Sequence, residues 1–159
     1  MSKFAVLTLA AVIGCSGWKL TPSPAPTPTT ETVNGITYHM PYGRPTRPFT
    51  PAVQVGNLIF VSGQIGTAPN AQGQVVAGGI QAETRQTLNN IKDVLEKSGS
   101  SMDRVLKCTV FMADMREWDA MNEVYVTFFP GNKPARSALG ANGLALGARV
   151  EIECFAVAA

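Results

Sequence analysis

From Ile80 to Ser98 the chain repeats apolar and small residues at three- and four-residue steps: Ile80, Thr84, Thr87/Leu88, Ile91 and Val94/Leu95. That spacing predicts an amphipathic helix, and Gly99 stops it. Gln81, Arg85, Asn89, Lys92, Asp93 and Glu96 fall off the stripe and read as its solvated face. A second stripe of Trp118, Met121, Val124/Tyr125 and Phe128/Phe129 predicts a helix over 116–129, capped by Asp114 and ended by Pro130-Gly131. These aromatics read as core. Asn122 interrupts the stripe, and a buried amide must find partners.

Elsewhere the period is two. Val150, Ile152, Cys154 and Ala156 share one strand face, and Arg149, Glu151, Glu153 and Phe155 the other. Val105 to Ala113 is largely apolar on both faces, as in a sheet covered on both sides. Val53-Gln54-Val55, a Gly56-Asn57 turn and Leu58 to Ser62 predict a hairpin. Ser62-Gly63-Gln64-Ile65-Gly66 ends it with two glycines, read either as a plain bulge or as a close approach to a ligand or neighbouring subunit. Thr67 to Gly79 is a polar loop, and a further extended run carries Arg136 just after Pro134.

The order strand, strand, helix, strand, helix, strand, strand predicts an α+β sandwich, a mixed sheet with two helices packed on one face. The other sheet face is then apolar and uncovered, and self-association is the simplest way to bury it.

Composition narrows the chemistry. At 159 residues the chain suits one domain with appendages. A formal charge of +2 with no basic cluster argues against nucleic acid as partner. One histidine (His39, assigned to a surface or loop) and three cysteines without a CxxC spacing make no metal set. Cys108 and Cys154 lie in apolar strand-like runs and read as small buried hydrophobes. No Ser/His/Asp or Cys/His triad and no phosphate loop can be drawn.

The N-terminus reads separately. Lys3, an uncharged apolar run from Phe4 to Ile13, and small Gly14 before Cys15 predict an export signal too short to span a bilayer. Val12-Ile13-Gly14-Cys15 resembles a bacterial lipobox, which implies lipidation of Cys15. Ordinary signal cleavage or an apolar N-terminal strand are the alternatives. By the same resemblance, Ser16 after that cysteine, rather than Asp, implies the outer membrane over retention at the inner one. Alternate prolines in Thr21–Thr32 favour a polyproline II spacer. Asn34-Gly35 marks a turn, with Ile36-Thr37-Tyr38 a short strand beyond it. The chain thus divides into a signal segment (1–15), a Pro/Thr-rich tether and irregular segment (16–45), and a domain (46–159) at the periplasmic face of a bacterial membrane.

What remains for chemistry is arginine, carboxylate and backbone. Arg136 offers a planar fork suited to a carboxylate, and a carboxylate on a neighbouring strand could be fixed relative to the same small anion. The alternative is a structural ion pair between Arg136 and Glu151 or Glu153.

Pro134 to Val157, PARSALGANGLALGARVEIECFAV, resembles the C-terminal signature of the Rid (reactive intermediate deaminase, YjgF-type) family. The resemblance extends upstream through Phe49-Thr50-Pro51-Ala52-Val53 and Gly56-Asn57-Leu58-Ile59-Phe60-Val61-Ser62-Gly63-Gln64-Ile65. It implies a chorismate-mutase-like homotrimer with ligand clefts between adjacent chains. It also implies cofactor-independent hydrolysis of 2-imino or enamine acids to 2-keto acids and ammonia. In that scheme Arg136 holds the substrate carboxylate, Glu151 activates water, and the Ala138 backbone fixes the amino group or reacting carbon. Phe49 and Asn122 complete the pocket, with Ser62 and Gly63 shaping its wall. Two positions depart from the family pattern: Phe49 stands where many members carry tyrosine, and Ala138 where cysteine is frequent. A non-catalytic module binding small carboxylic acids in the same cleft is the competing reading, and a purely structural trimer ranks below both.

Overall fold

The computed structural model describes residues 27–68 and 73–159. The signal segment, Cys15 and the Pro-rich stretch before Thr27 lie outside the described residues. Seven strands form one sheet: β1 (Thr29–Val33), β2 (Ile36–Met40), β3 (Ala52–Val55), β4 (Leu58–Ile65), β5 (Val105–Met112), β6 (Ala135–Gly140) and β7 (Val150–Val157). They lie in the order β1-β2-β3-β4-β7-β5-β6. Two helices, α1 (Gly79–Lys97) and α2 (Trp118–Tyr125), complete the mixed α+β fold.

The period-two and period-3.6 patterns decide what is buried. Ile80, Thr84, Thr87, Leu88, Ile91, Val94 and Leu95 of α1 are buried. They share a core with Ile59 and Val61 of β4, Val110 and Met112 of β5, and Val150, Ile152, Cys154 and Ala156 of β7. Asp114 accepts a hydrogen bond from the Arg116 amide (2.9 Å), the expected cap. The helix expected over 116–129 is regular only at Trp118–Tyr125, with 3₁₀ turns at Met115–Glu117 and Val126–Phe128. Tight turns at both ends of an α-helix are common.

Four expectations are corrected. First, β7 does not return beside the Arg136 strand. It is antiparallel to β4 and β5, while β6 pairs parallel to β5 at the sheet edge. A parallel pair needs a crossover, and the segment carrying α2 supplies it.

Second, the sheet begins at Thr29, inside the stretch assigned to the tether. Beyond Pro28 the β-branched run Thr29-Thr30 and Thr32-Val33 pairs with Ile36–Met40 across the Asn34-Gly35 turn. Third, His39 is not a surface residue. It lies buried in β2, hydrogen-bonded to Gln54 (2.8 Å).

Fourth, Cys108 and Cys154 are not two separate thiols. They face each other across β5 and β7 and form a disulfide in the core. Register across 46 residues brings them together, and no local pattern encodes that.

The face away from the helices carries Val55, Leu58, Phe60 and Leu139, all exposed in the single chain. Phe60 and Phe155 stack there with ring centroids 5.1 Å apart. An exposed apolar band on one sheet face is the pattern of an interaction surface.

Candidate functional site

β6 alternates Arg136 and Ala138 on the helix side with Ser137 and Leu139 on the open side, because Arg136 and Ala138 sit opposite Cys108 and Val110. The Arg136 guanidinium therefore rises toward α2. One helix face presents Trp118, Asn122 and Tyr125 at steps of four and three. Asn122 Oδ1 accepts a hydrogen bond from Arg136 Nη1 (2.7 Å), so the amide that interrupts the stripe finds its partner here. The guanidinium carbon lies 4.7 Å from the Tyr125 ring centroid and 5.2 Å from that of Trp118. Aromatic faces attract a cation and fix its plane without using its N–H donors.

Among the described residues no carboxylate lies within 4.0 Å of Arg136, so the ion pair with Glu151 or Glu153 does not form. A pocket of about 280 Å³ opens beside it, lined by Asn122, Tyr125, Val126, Lys133, Pro134 and Arg136. The Tyr125 hydroxyl is buried without a hydrogen-bond partner. Burial pushes its pKa up to about 12, offset in part by the Arg136 charge.

Glu151 sits elsewhere, on the open face. β4 carries one extra residue against β7 between Val61 and Gln64, a bulge at Ser62-Gly63. The bulge reading of the two glycines therefore holds, and at Gly63 the close neighbour is a side chain of the same chain. That group is Glu151. A Cβ placed on Gly63 would overlap Glu151 Oε1 and lie 3.0 Å from its Cδ. Desolvation, with a lesser contribution from the Glu153 charge, holds the Glu151 carboxyl above its ordinary pKa. Ser62 Oγ donates to the Thr50 carbonyl (2.6 Å), and the Ser62 amide to that of Pro51 (3.0 Å). These bonds tie the segment following half-exposed Phe49 to the bulge. Asn90 of α1 donates to the carbonyls of Ile65 and Thr67, fixing the end of β4.

The seven candidates thus form two groups. Arg136, Asn122 and Ala138 belong to the helix side of the edge strand. Phe49, Ser62, Gly63 and Glu151 belong to the bulge region of β4 and β7. One chain does not bring the two groups together.

A family model described as "Endoribonuclease L-PSP" matches residues 41–158. The chain belongs to this family, the YjgF/Rid proteins. Among Rid-family relatives, the 2-iminobutanoate/2-iminopropanoate deaminase of Mus musculus is 44% identical over 110 residues, 69% of this chain and 81% of that protein. The solved YjgF gene product of E. coli is 34% identical with a TM-score of 0.67, covering 71% of this chain and 90% of that one. E. coli TdcF, solved with bound serine, is 32% identical with a TM-score of 0.67, over 72% and 91% of the two chains.

Against this Rid-family background, the β1–β2 pair precedes the matched span. Sequence reasoning missed several residues around the site. Trp118 and Tyr125 read as plain core, although their steps from Asn122 put all three on one helix face. Lys133, which lines the pocket, carried no signal beyond its place next to Pro134. Arg149 was grouped with Glu151 on a β7 face. It instead precedes β7, its amide donating to buried Glu83 (2.8 Å) and its guanidinium pairing with Glu117.

Proposed function

We propose that this protein hydrolyses 2-imino acids, or their enamine tautomers, to 2-keto acids and ammonia. The observation that carries the proposal is an arginine held in place by an amide and two rings while its charge meets no carboxylate among the described residues. Relatives named as imine deaminases match 69% of this chain, and the family model spans the residues that include Arg136. Arg136 takes the substrate carboxylate through two parallel charge-assisted bonds. Water adds to the C=N carbon and loses a proton to Glu151, whose raised pKa suits a group that must accept one. The C–N bond then breaks: R–C(=NH)–COO⁻ and water become R–C(=O)–COO⁻ and ammonia, with no change in oxidation state. The backbone at Ala138 holds the nitrogen, Phe49 packs on the substrate, and Ser62 and Gly63 form the wall beside it. Orientation and charge stabilisation suffice for an imine that already reacts with water.

The site is complete only between copies. Arg136 lies on an edge strand, Glu151 lies on the open face, and an apolar band including Phe60 and Leu58 awaits cover. Packing one chain's edge against the next chain's open face brings the two groups together, and a homotrimer closes that arrangement. A sedimentation mass of one chain would leave the proposal without a site.

The chain acts outside the cytoplasm, anchored through Cys15. The Cys108–Cys154 disulfide supports this address, since such bonds persist in oxidising compartments. Mass analysis of the mature N-terminus tests it: a diacylated Cys15 is expected, and a retained Met1 would reject it. The activity is tested by ammonia release from enzymatically generated 2-imino acids, comparing wild type with Arg136→Ala.

A further inference from the structure

Two cations line the pocket beside α2, and only one is needed for a monocarboxylate. Lys133 Nζ donates to the carbonyls of Phe129 (2.9 Å) and Gly131 (3.4 Å). Both acceptors are neutral. An ammonium has three donors, so one remains, and its charge is not compensated. Like Arg136, it has no carboxylate within 4.0 Å among the described residues, and none lines the pocket. A 2-imino monoacid offers one carboxylate and engages one of the two cations, whereas a 2-imino diacid offers a carboxylate to each.

Resting on the deaminase reading above, we propose that Lys133 is a specificity residue and that the favoured substrates are 2-imino diacids. Arg136 takes the carboxylate next to the imine carbon, and Lys133 takes the distal one. Both cations line the same pocket, so a substrate with two carboxylates meets both and a monoacid only one. Hydrolysis follows the balanced equation already given, the distal carboxylate passing unchanged into a 2-keto diacid.

The test compares full-length wild type with Lys133→Gln, whose amide can still donate to the Phe129 carbonyl but carries no charge, and with Lys133→Arg. Imines are generated by an amino-acid oxidase from an acidic amino acid and from alanine, and the readout is the ratio of kcat/KM, diacid over monoacid. Wild type is expected to favour the diacid. The ratio should fall about tenfold in Lys133→Gln, the scale of one lost charge-assisted contact, and recover in Lys133→Arg. A ratio unchanged by Lys133→Gln, or a wild type that favours the monoacid, overturns the inference. If wild type hydrolyses neither imine, the deaminase reading fails on its own. Calorimetry with 2-keto acids of the two classes then decides the role of Lys133. Tighter diacid binding that Lys133→Gln abolishes supports it, and equal affinities overturn it.

Discussion

Gly63→Ala separates the position of Glu151 from the integrity of the fold. The backbone at Gly63 is not in the left-handed region, so alanine is conformationally allowed there. In a strand it should even reduce the freedom of the unfolded chain, an effect on the order of 1 kcal/mol in favour of the fold. The new methyl, however, would overlap Glu151 Oε1 and sit 3.0 Å from Cδ and 3.3 Å from Cγ. The obstructed atoms are the tip of a side chain, so the carboxylate gives way while the backbone stays. It must retreat by about 1 Å, a misplacement of the size that costs roughly 10²-fold in rate, or about 2.7 kcal/mol of barrier. Imine hydrolysis and thermal melting on the same preparation read the two effects apart. We expect kcat to fall about 10²-fold with a melting temperature within a few degrees of wild type. The double variant Gly63→Ala/Glu151→Gln should be no slower than Glu151→Gln alone, since both changes act through one carboxylate. A full rate in Gly63→Ala, or additive losses in the double variant, would refute the reasoning.

Other predictions follow from the same geometry. Because burial raises the Glu151 pKa, the acid limb of log kcat/KM should lie above the ordinary glutamate value of 4.5. The folded chain then binds the Glu151 proton more tightly than the unfolded one. The stability this contributes is present at low pH and is lost as pH rises through the folded-state pKa. Glu151→Gln should therefore melt no lower than wild type at pH 7 and lose the acid limb; a lower melting temperature with the limb retained would contradict this. The Cys108–Cys154 bond closes a loop of 46 residues. In the chain-entropy treatment that is worth about 4 kcal/mol, so reductant should lower the melting temperature by roughly 10 °C. Alkylatable thiols at Cys108 and Cys154, or a melting curve indifferent to reductant, would count against it.

Local pattern carried much of the fold. The α1 stripe and the alternation in β7 are satisfied by burying one face, and both faces came out as their periods predict. Asn34-Gly35 and Gly56-Asn57 supplied two hairpins. What local pattern could not supply was long-range register. The insertion of β7 between β4 and β5, the facing of Cys108 and Cys154, and the edge position of β6 depend on pairings between distant segments. The site followed the same division. Arg136 and Glu151 stand out in sequence as charges in extended runs. Their separation onto different sheet faces, and the stacking of Arg136 between Trp118 and Tyr125, emerge only once α2 crosses from β5 to β6. Thr29–Val33 was obscured by the prolines just before it, whose composition masked a β-branched run.

The most direct test of the central claim is the rate of ammonia release from a 2-imino acid by wild type, Arg136→Ala and Arg136→Lys, each verified as folded by melting. A guanidinium acting as a two-pronged anchor predicts a loss of about 10²-fold or more in kcat/KM for alanine and only partial recovery with lysine. Equal rates in all three proteins would mean that Arg136 does not hold the substrate and that the proposed chemistry has no anchor in this chain.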